Sequence, residues 1–231
     1  MKKILISILA VLFAIPFSAY AIVFNGVLDN VDSANPSGSL NITGSITITA
    51  WVYATSFVGA FEVIAIKGKS HAADADADSS PYSLKTRTGL LRFDIVNTSN
   101  THATFDSTSA LLTNKWNFVA ATWTGATGTG NVCVYVNKIQ KCYDNSTITS
   151  LKTNTRDFVI GNDIVRKDGT NRMSWKGSIS DVRIYNKTLS EREIMQLYYG
   201  QNIRNGLVGY WPLFGSASTY NPDLSGFGNY G

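Results

Sequence analysis

Three aspartates at alternate positions, Asp74, Asp76 and Asp78, form the densest run of hard oxygen donors in the 231-residue chain. Clustered carboxylates of this kind suit calcium, which collects about six to eight oxygens. They do not make an EF-hand loop. Counted from Asp74, the sixth position is Ser79 rather than glycine, and the twelfth is Lys85 rather than glutamate. The competing reading is a solvated acidic loop. Tryptophan supplies a second kind of chemistry, because the apolar face of a sugar ring stacks on an indole while polar groups fix its orientation. Of Trp51, Trp116, Trp123, Trp175 and Trp211, most are expected in the core. Trp51 and Trp123 lie off the most apolar face of their strands, so they are the ligand-stacking candidates.

Catalysis has less to work with. A glycosidase needs two carboxylates flanking the scissile bond, commonly at alternate positions on one strand face. Glutamate occurs only at 62, 191 and 193. The last two belong to a helix start, and Glu62 stands alone before an apolar strand. His71 and His102 fall in predicted loops, with no nucleophile beside either. No Ser/His/Asp or Cys/His arrangement stands out, so the chain is read as a binding module rather than an enzyme.

The two cysteines can be placed by counting. Asn137-Lys138 is a two-residue hairpin turn, and counting outward sets Val136 against Ile139 and Cys133 against Cys142. Alternation makes the cysteines a non-hydrogen-bonded pair, whose short Cα separation suits a disulfide. Two cysteines with no histidine nearby do not make a metal site.

The elements that must position these groups are mostly strands. Ile46, Ile48, Ala50 and Val52 alternate with Thr47, Thr49, Trp51 and Tyr53, a half-buried strand. Ile22 to Val27, Phe61 to Ile66, Lys115 to Thr124, Asn131 to Val136, Ile139 to Tyr143, Phe158 to Ile160 and Gly177 to Tyr185 read the same way. Tyr82 to Lys85 and Leu90 to Val96 form a hairpin over residues 86–89. Val31 to Leu40 reads as a turn, and Asn97 to Ser109 as a soft stretch without a strand. In the Gly177 strand, Ile179 falls on the wrong face for Val182 and Ile184, which predicts a bulge near Ser180. One helix is expected, at 191–199. Ser190 and Glu193 make a capping box, Leu189 and Ile194 a hydrophobic staple, and Ile194, Leu197 and Tyr198 an apolar face. Short, evenly punctuated strands with a single helix predict an all-β, two-sheet antiparallel jelly-roll sandwich with one short C-terminal helix.

Residues 1–21 read as a secretory signal. Lys2 and Lys3 precede the apolar run Ile4 to Ile15, and Ala19-Tyr20-Ala21 is a small-x-small cleavage site. The expected product is secreted or held at the cell surface, with no membrane span after cleavage. The formal charge of +4 falls to +2 without Lys2 and Lys3, which gives no case for nucleic acid.

The run Gly177-x-Ile179-x-Asp181-Val182-Arg183-Ile184-Tyr185-Asn186-x-x-Leu189-Ser190-x-x-Glu193-Ile194 resembles the closing segment of laminin-G-like and pentraxin-like domains, which are concanavalin A-like jelly rolls. Val23-Phe24-Asn25-Gly26, Ile46 to Tyr53, Trp116 to Trp123, Val134-Tyr135-Val136-Asn137 and Ile160-Gly161 follow in that family's order. The resemblance covers 22–200 and implies one jelly-roll domain there. Residues 201–231 are either its closing strand, the preferred reading because an orphan apolar edge invites aggregation, or the truncated start of a second repeat. Pentraxin-like domains build a calcium site from two loops, which the resemblance carries onto Asp76 and Asp78 in one and Asn162 and Asp163 in the other. This second loop has one acid where that family has several. The implied function is an exported, non-catalytic module that recognises carbohydrate with calcium assistance. The alternative is a structural or adhesion module that binds an extracellular protein. The scaffold alone does not choose between them.

Overall fold

The computed structural model describes residues 21–57, 59–68, 80–163, 173–215 and 220–230. The expected signal segment through residue 20 and the aspartate run lie outside them. The described elements are β1 (Ile22–Asn25), β2 (Val31–Ser33), β3 (Ile46–Ala54), β4 (Phe61–Lys67), β5 (Tyr82–Arg87), β6 (Leu90–Val96), β7 (His102–Ala110), β8 (Trp116–Trp123), β9 (Gly128–Val136), β10 (Ile139–Asn145), β11 (Phe158–Ile160), β12 (Lys176–Tyr185), α1 (Glu191–Tyr198) and β13 (Leu207–Trp211). They build two antiparallel sheets. One runs β1-β12-β3-β8-β9-β10, with β13 also paired to β12, and the other runs β2-β11-β4-β5-β6-β7. The expected two-sheet sandwich with one short helix is what forms. Among the described residues, no helix is long and apolar enough to cross a membrane.

β12 is the hub. Its first half, Lys176–Ile179, pairs with β1, and its second half, Val182–Tyr185, pairs with β13, while β3 lines its other side throughout. The register slips between Ser180 and Arg183, and Asp181 takes φ +53°. That is the expected bulge, and it lets Ile179, Val182 and Ile184 all enter the main core. On β3 the alternation holds: Ile46, Ile48, Ala50 and Val52 face the other sheet. Across the outer face of this sheet lies α1. Ser190 caps it by accepting from the Glu193 N–H, and Glu193 reaches back to the Ser190 N–H at 2.7 Å. Ile194 and Leu197 then bury with Leu189 against Trp51, Phe118 and Ala120.

Two segments differ from the sequence reading. Val31–Ser33 is a strand on β11, not part of a turn; three residues carry no readable period. His102–Ala110 is a full edge strand on β6, where only a soft stretch was expected. Its inward side offers one large apolar group, Phe105, because an edge position rich in Thr and Ser is set by pairing with the neighbour rather than by a hydrophobic stripe.

The tail belongs to the same sheet. Trp211 is fully buried, stacks on Phe158 with ring centroids 4.9 Å apart, and donates from Nε1 to the Asn229 carbonyl. Asn229 holds Ser39 and Ser33 in turn. Lys67, wholly buried, donates its ammonium to the Asn154 carbonyl, the Asn154 Oδ1 and the Arg156 carbonyl, which fixes the 151–157 connection; burial lowers its pKa to about 8.

Cys133 and Cys142 are register partners 4.1 Å apart at Cα and form the disulfide expected from the hairpin count. The loop it closes is short, so its loss should cost about 2–3 kcal/mol. Urea melts of Cys133→Ser/Cys142→Ser against the parent check this. Two alkylatable thiols in the untreated protein would show that the bond is not made.

Candidate functional site

The two outer faces are treated differently. α1 lies across the seven-stranded sheet, whereas the β5–β7 half of the six-stranded sheet carries a charged lattice. Leu91, Phe93 and Ile95 of β6 point into the core, so Arg92 and Asp94 point out. Register places Lys85 and Asp106 on either side of Arg92, and Ser83 and Thr104 on either side of Asp94. Arg92 grips Asp106 with two bonds, Nε to Oδ1 at 2.6 Å and Nη2 to Oδ2 at 2.7 Å. That bidentate bond holds the Asp106 carboxyl below the usual carboxylate range. Lys85 pairs with Asp94, and Arg87 stands 3.7 Å from Asp106. The Lys85 ammonium and the Arg92 guanidinium sit 5.2 and 5.6 Å from the centroid of the Phe61 ring. One Asp94 oxygen, Oδ1, is buried without a hydrogen-bond partner. A fixed aromatic ring beside oriented charges, with one carboxylate oxygen unpaired just beneath the surface, can take a ring with hydroxyl donors after a small turn of the Asp94 side chain. The sequence reading missed this lattice. Arg92-x-Asp94 alternating against Leu91, Phe93 and Ile95 was a usable signal, but Asp106 sat in a strand that went unrecognised.

The predicted stacking residues do not serve. Trp123 has no exposed surface; it lies in the main core and donates from Nε1 to the Ala126 carbonyl at 3.0 Å. Trp51 is 8% exposed, stacked on Tyr198 of α1 at 5.6 Å and edge-on to Phe118 at 5.4 Å. The face off the apolar stripe is therefore a second core under the helix. Partly exposed aromatics on that side include Tyr53 and Trp116, a T-shaped pair at 5.8 Å, and Tyr199 at the end of α1 is exposed.

Of the predicted calcium ligands, Asp76 and Asp78 lie outside the described residues. Asn162 and Asp163 follow β11 at Gly161 and are buried. β4 and β11 are neighbours but antiparallel: Phe158 faces Lys67 and Ile160 faces Ala65. The connections after them therefore leave from opposite ends, roughly 13 Å apart at about 3.3 Å per residue. Ser174 Oγ lies 2.8 Å from the Val27 carbonyl and 3.0 Å from Asn162 Oδ1, and Asn162 Nδ2 has no partner. One hydroxyl proton cannot serve two acceptors. Turning the Asn162 amide over resolves this: Ser174 donates to Val27, Asn162 Nδ2 donates to Ser174, and a buried carboxamide oxygen is left to meet a donor or a cation. That oxygen fits the hard-donor set calcium takes. Among the described residues no three His, Cys, Asp or Glu side chains cluster as a metal site.

Two antiparallel sheets forming a sandwich, with one helix across an outer face, make a jelly-roll architecture. The sequence matches the family profile of the concanavalin A-like lectin/glucanase superfamily over residues 25–195, and the chain belongs to that superfamily. No curated protein sequence matches it. Among solved structures, a Bacteroides ovatus protein assigned as carbohydrate-binding aligns with TM-score 0.68 and 21% identity over 92% of this chain; the chain spans 57% of that protein's length. A heptameric SAP-like pentraxin from Limulus polyphemus aligns at 0.55 and 13% identity, over 92% of this chain and 95% of its own. The CBM40 module of a Ruminococcus gnavus sialidase, solved with α2,3-sialyllactose, aligns at 0.57 and 18% identity, over 78% of this chain and 96% of its own.

Proposed function

We propose that the protein is an exported, non-catalytic carbohydrate-binding module whose ligand lies on the outer face of the six-stranded sheet, against Phe61, Arg92 and Asp94. The observation that carries this reading is the unpartnered Asp94 Oδ1 beside the Lys85–Asp94 and Arg92–Asp106 ion pairs. A small turn of the Asp94 side chain would bring that oxygen to a sugar hydroxyl, and Ser83 and Thr104 flank the same spot. The neighbours whose names mention carbohydrate support the ligand class. Against catalysis, three of the described carboxylates are already engaged. Glu62 accepts from the Gly59 N–H and Thr86, Glu193 from the helix cap, and Asp106 from Arg92. Calcium assistance at Asn162 and Asp163, with Asp76 and Asp78, is the finer part of the proposal. It requires the 69–79 connection to return along the β4–β11 pair, a span eleven residues cover.

A glycan array with and without millimolar calcium tests both parts. Phe61→Ala and Asp94→Asn should each weaken the leading glycan by roughly tenfold or more while the melting temperature stays close to the parent's. Calcium should raise that temperature by a few degrees, since a ligand specific for the folded state stabilises it, and Asp78→Asn/Asp163→Asn should remove the rise. Retention of the glycan by both outer-face variants would sink the site. An array without hits, alongside a specific extracellular protein captured through the same face, would establish the adhesion alternative.

A further inference from the structure

We propose that a hollow at the far end of the seven-stranded sheet is a second saccharide subsite, for a single neutral sugar ring. It lies where the chain enters β3 and leaves β12, and its volume is about 280 Å³. Ligand pockets run from about 300 to 1,000 Å³, so this one suits one ring rather than an oligomer. The lining is Ser39, Asn41, Thr43, Ser45 and Asn186, with Ile42 and Gly44 completing the wall.

Three features make the hollow more than a gap between loops. Its walls are pinned from four distant parts of the chain. Ser39 donates to Asn229 Oδ1 at 3.0 Å, and Ser45 donates to the Thr124 carbonyl at 3.0 Å. The Thr43 carbonyl accepts from the Leu151 N–H at 2.8 Å, and the Asn186 N–H donates to the Gly206 carbonyl at 2.9 Å. A site held this way loses little freedom when a ligand arrives. Next, Asn41 Oδ1 is buried and has no hydrogen-bond partner. An unmet buried acceptor costs free energy, and a small turn of the Asn41 side chain toward the hollow would let a ligand hydroxyl recover it. Finally, the lining holds only hydroxyls and carboxamides. With no cation it has nothing to neutralise a uronate, sialate or phosphate, and with no carboxylate it has nothing for a metal or an amine. Polar, uncharged and small, it matches the hydroxyls of a neutral pyranose.

The inference does not rest on the outer-face reading, and the two sites share no residue. Together they would let one domain hold two points of a glycan, or two glycans, and so gain avidity.

The test is a ¹H–¹⁵N NMR titration of the folded domain with methyl glucoside, methyl galactoside, methyl mannoside and N-acetylglucosamine, each taken well past millimolar. N-acetylneuraminic acid and glucuronate form the anionic arm. At least one neutral sugar should shift the amides of Thr43, Gly44 and Ser45 in a saturable way, and the acids should not. Asn41→Leu and Asn186→Ala should each weaken that response by roughly tenfold, while Phe61→Ala and Asp94→Asn leave it unchanged. Should Asn41→Leu disturb the loop, Asn186→Ala and Thr43→Val carry the test. The proposal is overturned if no neutral sugar shifts these amides, which would mean that Asn41 meets only water. It is also overturned if the acids shift them equally, or if the outer-face variants abolish the response.

Discussion

Gly177→Ala should leave the protein largely unfolded, a loss beyond about 4 kcal/mol, where only a few named mechanisms reach. The residue is the second of β12, paired on one side with Phe24 of β1 and on the other with Ala54 of β3, so neither neighbour can retreat without breaking the sheet. A Cβ there would lie 1.9 Å from the Tyr53 carbonyl oxygen and 3.1 Å from the Ala54 Cα, both backbone atoms. Its φ of +135° adds conformational strain. A built-in control separates the two causes. Gly128 has φ +139°, yet nothing lies within 4 Å of its would-be Cβ. Gly128→Ala should therefore show the conformational cost alone, about 1–2 kcal/mol. Soluble yield, circular dichroism and urea melts of both variants decide the matter. Equal stability of the two would refute the steric argument.

Gly177 also shows how far the sequence could be read. It opens the motif that pointed to the fold, but its purpose, the close approach of β3, is visible only in three dimensions. Where the residue types of the two faces differ, as on β3 with Ile46 and Ile48 against Thr47 and Thr49, and at the capping box of α1, period and spacing sufficed. The hairpin count placed Cys133 opposite Cys142 because a two-residue turn leaves no freedom in register. Failure came where both faces are apolar. β8, Trp116–Trp123, sends Val119, Ala121 and Trp123 into the main core and Phe118 and Ala120 under the helix. A strand buried on both sides offers no contrast to say which tryptophan is accessible. The outer-face lattice was hidden for another reason. Its members, Phe61, Lys85, Arg92, Asp94 and Asp106, come from four strands, and only pairing registers bring them together.

Arg183→Met should destabilise the domain by about 3 kcal/mol near neutral pH, and by much less in acid. Arg183 stands on β12 just past the bulge. Its Nε donates to Asp181 Oδ1 at 2.8 Å, its Nη1 to Asn202 Oδ1 at 3.1 Å, and its guanidinium lies 4.4 Å from the Tyr210 ring centroid. Its side chain is 8% exposed and that of Asp181 17%. Burial pushes the Asp181 carboxyl above its ordinary pKa even with the guanidinium opposing it. Removing the cation strands the carboxylate, for which the usual cost is about 3–5 kcal/mol; the remaining exposure of Asp181 argues for the lower end. The pH dependence follows from linkage. In the variant the folded-state pKa of Asp181 rises further above its unfolded value. The unfolded chain then releases this proton at lower pH than the folded one, and stability falls as pH climbs through that interval. At about pH 4 the carboxyl is largely protonated in the folded variant, so the deficit against the parent is small; near pH 7 it is complete. Urea melts of parent and variant at the two pH values measure this directly. A deficit of the same size at both, or a larger one in acid, would mean that Arg183 acts through its packing on Tyr210 rather than through the Asp181 charge.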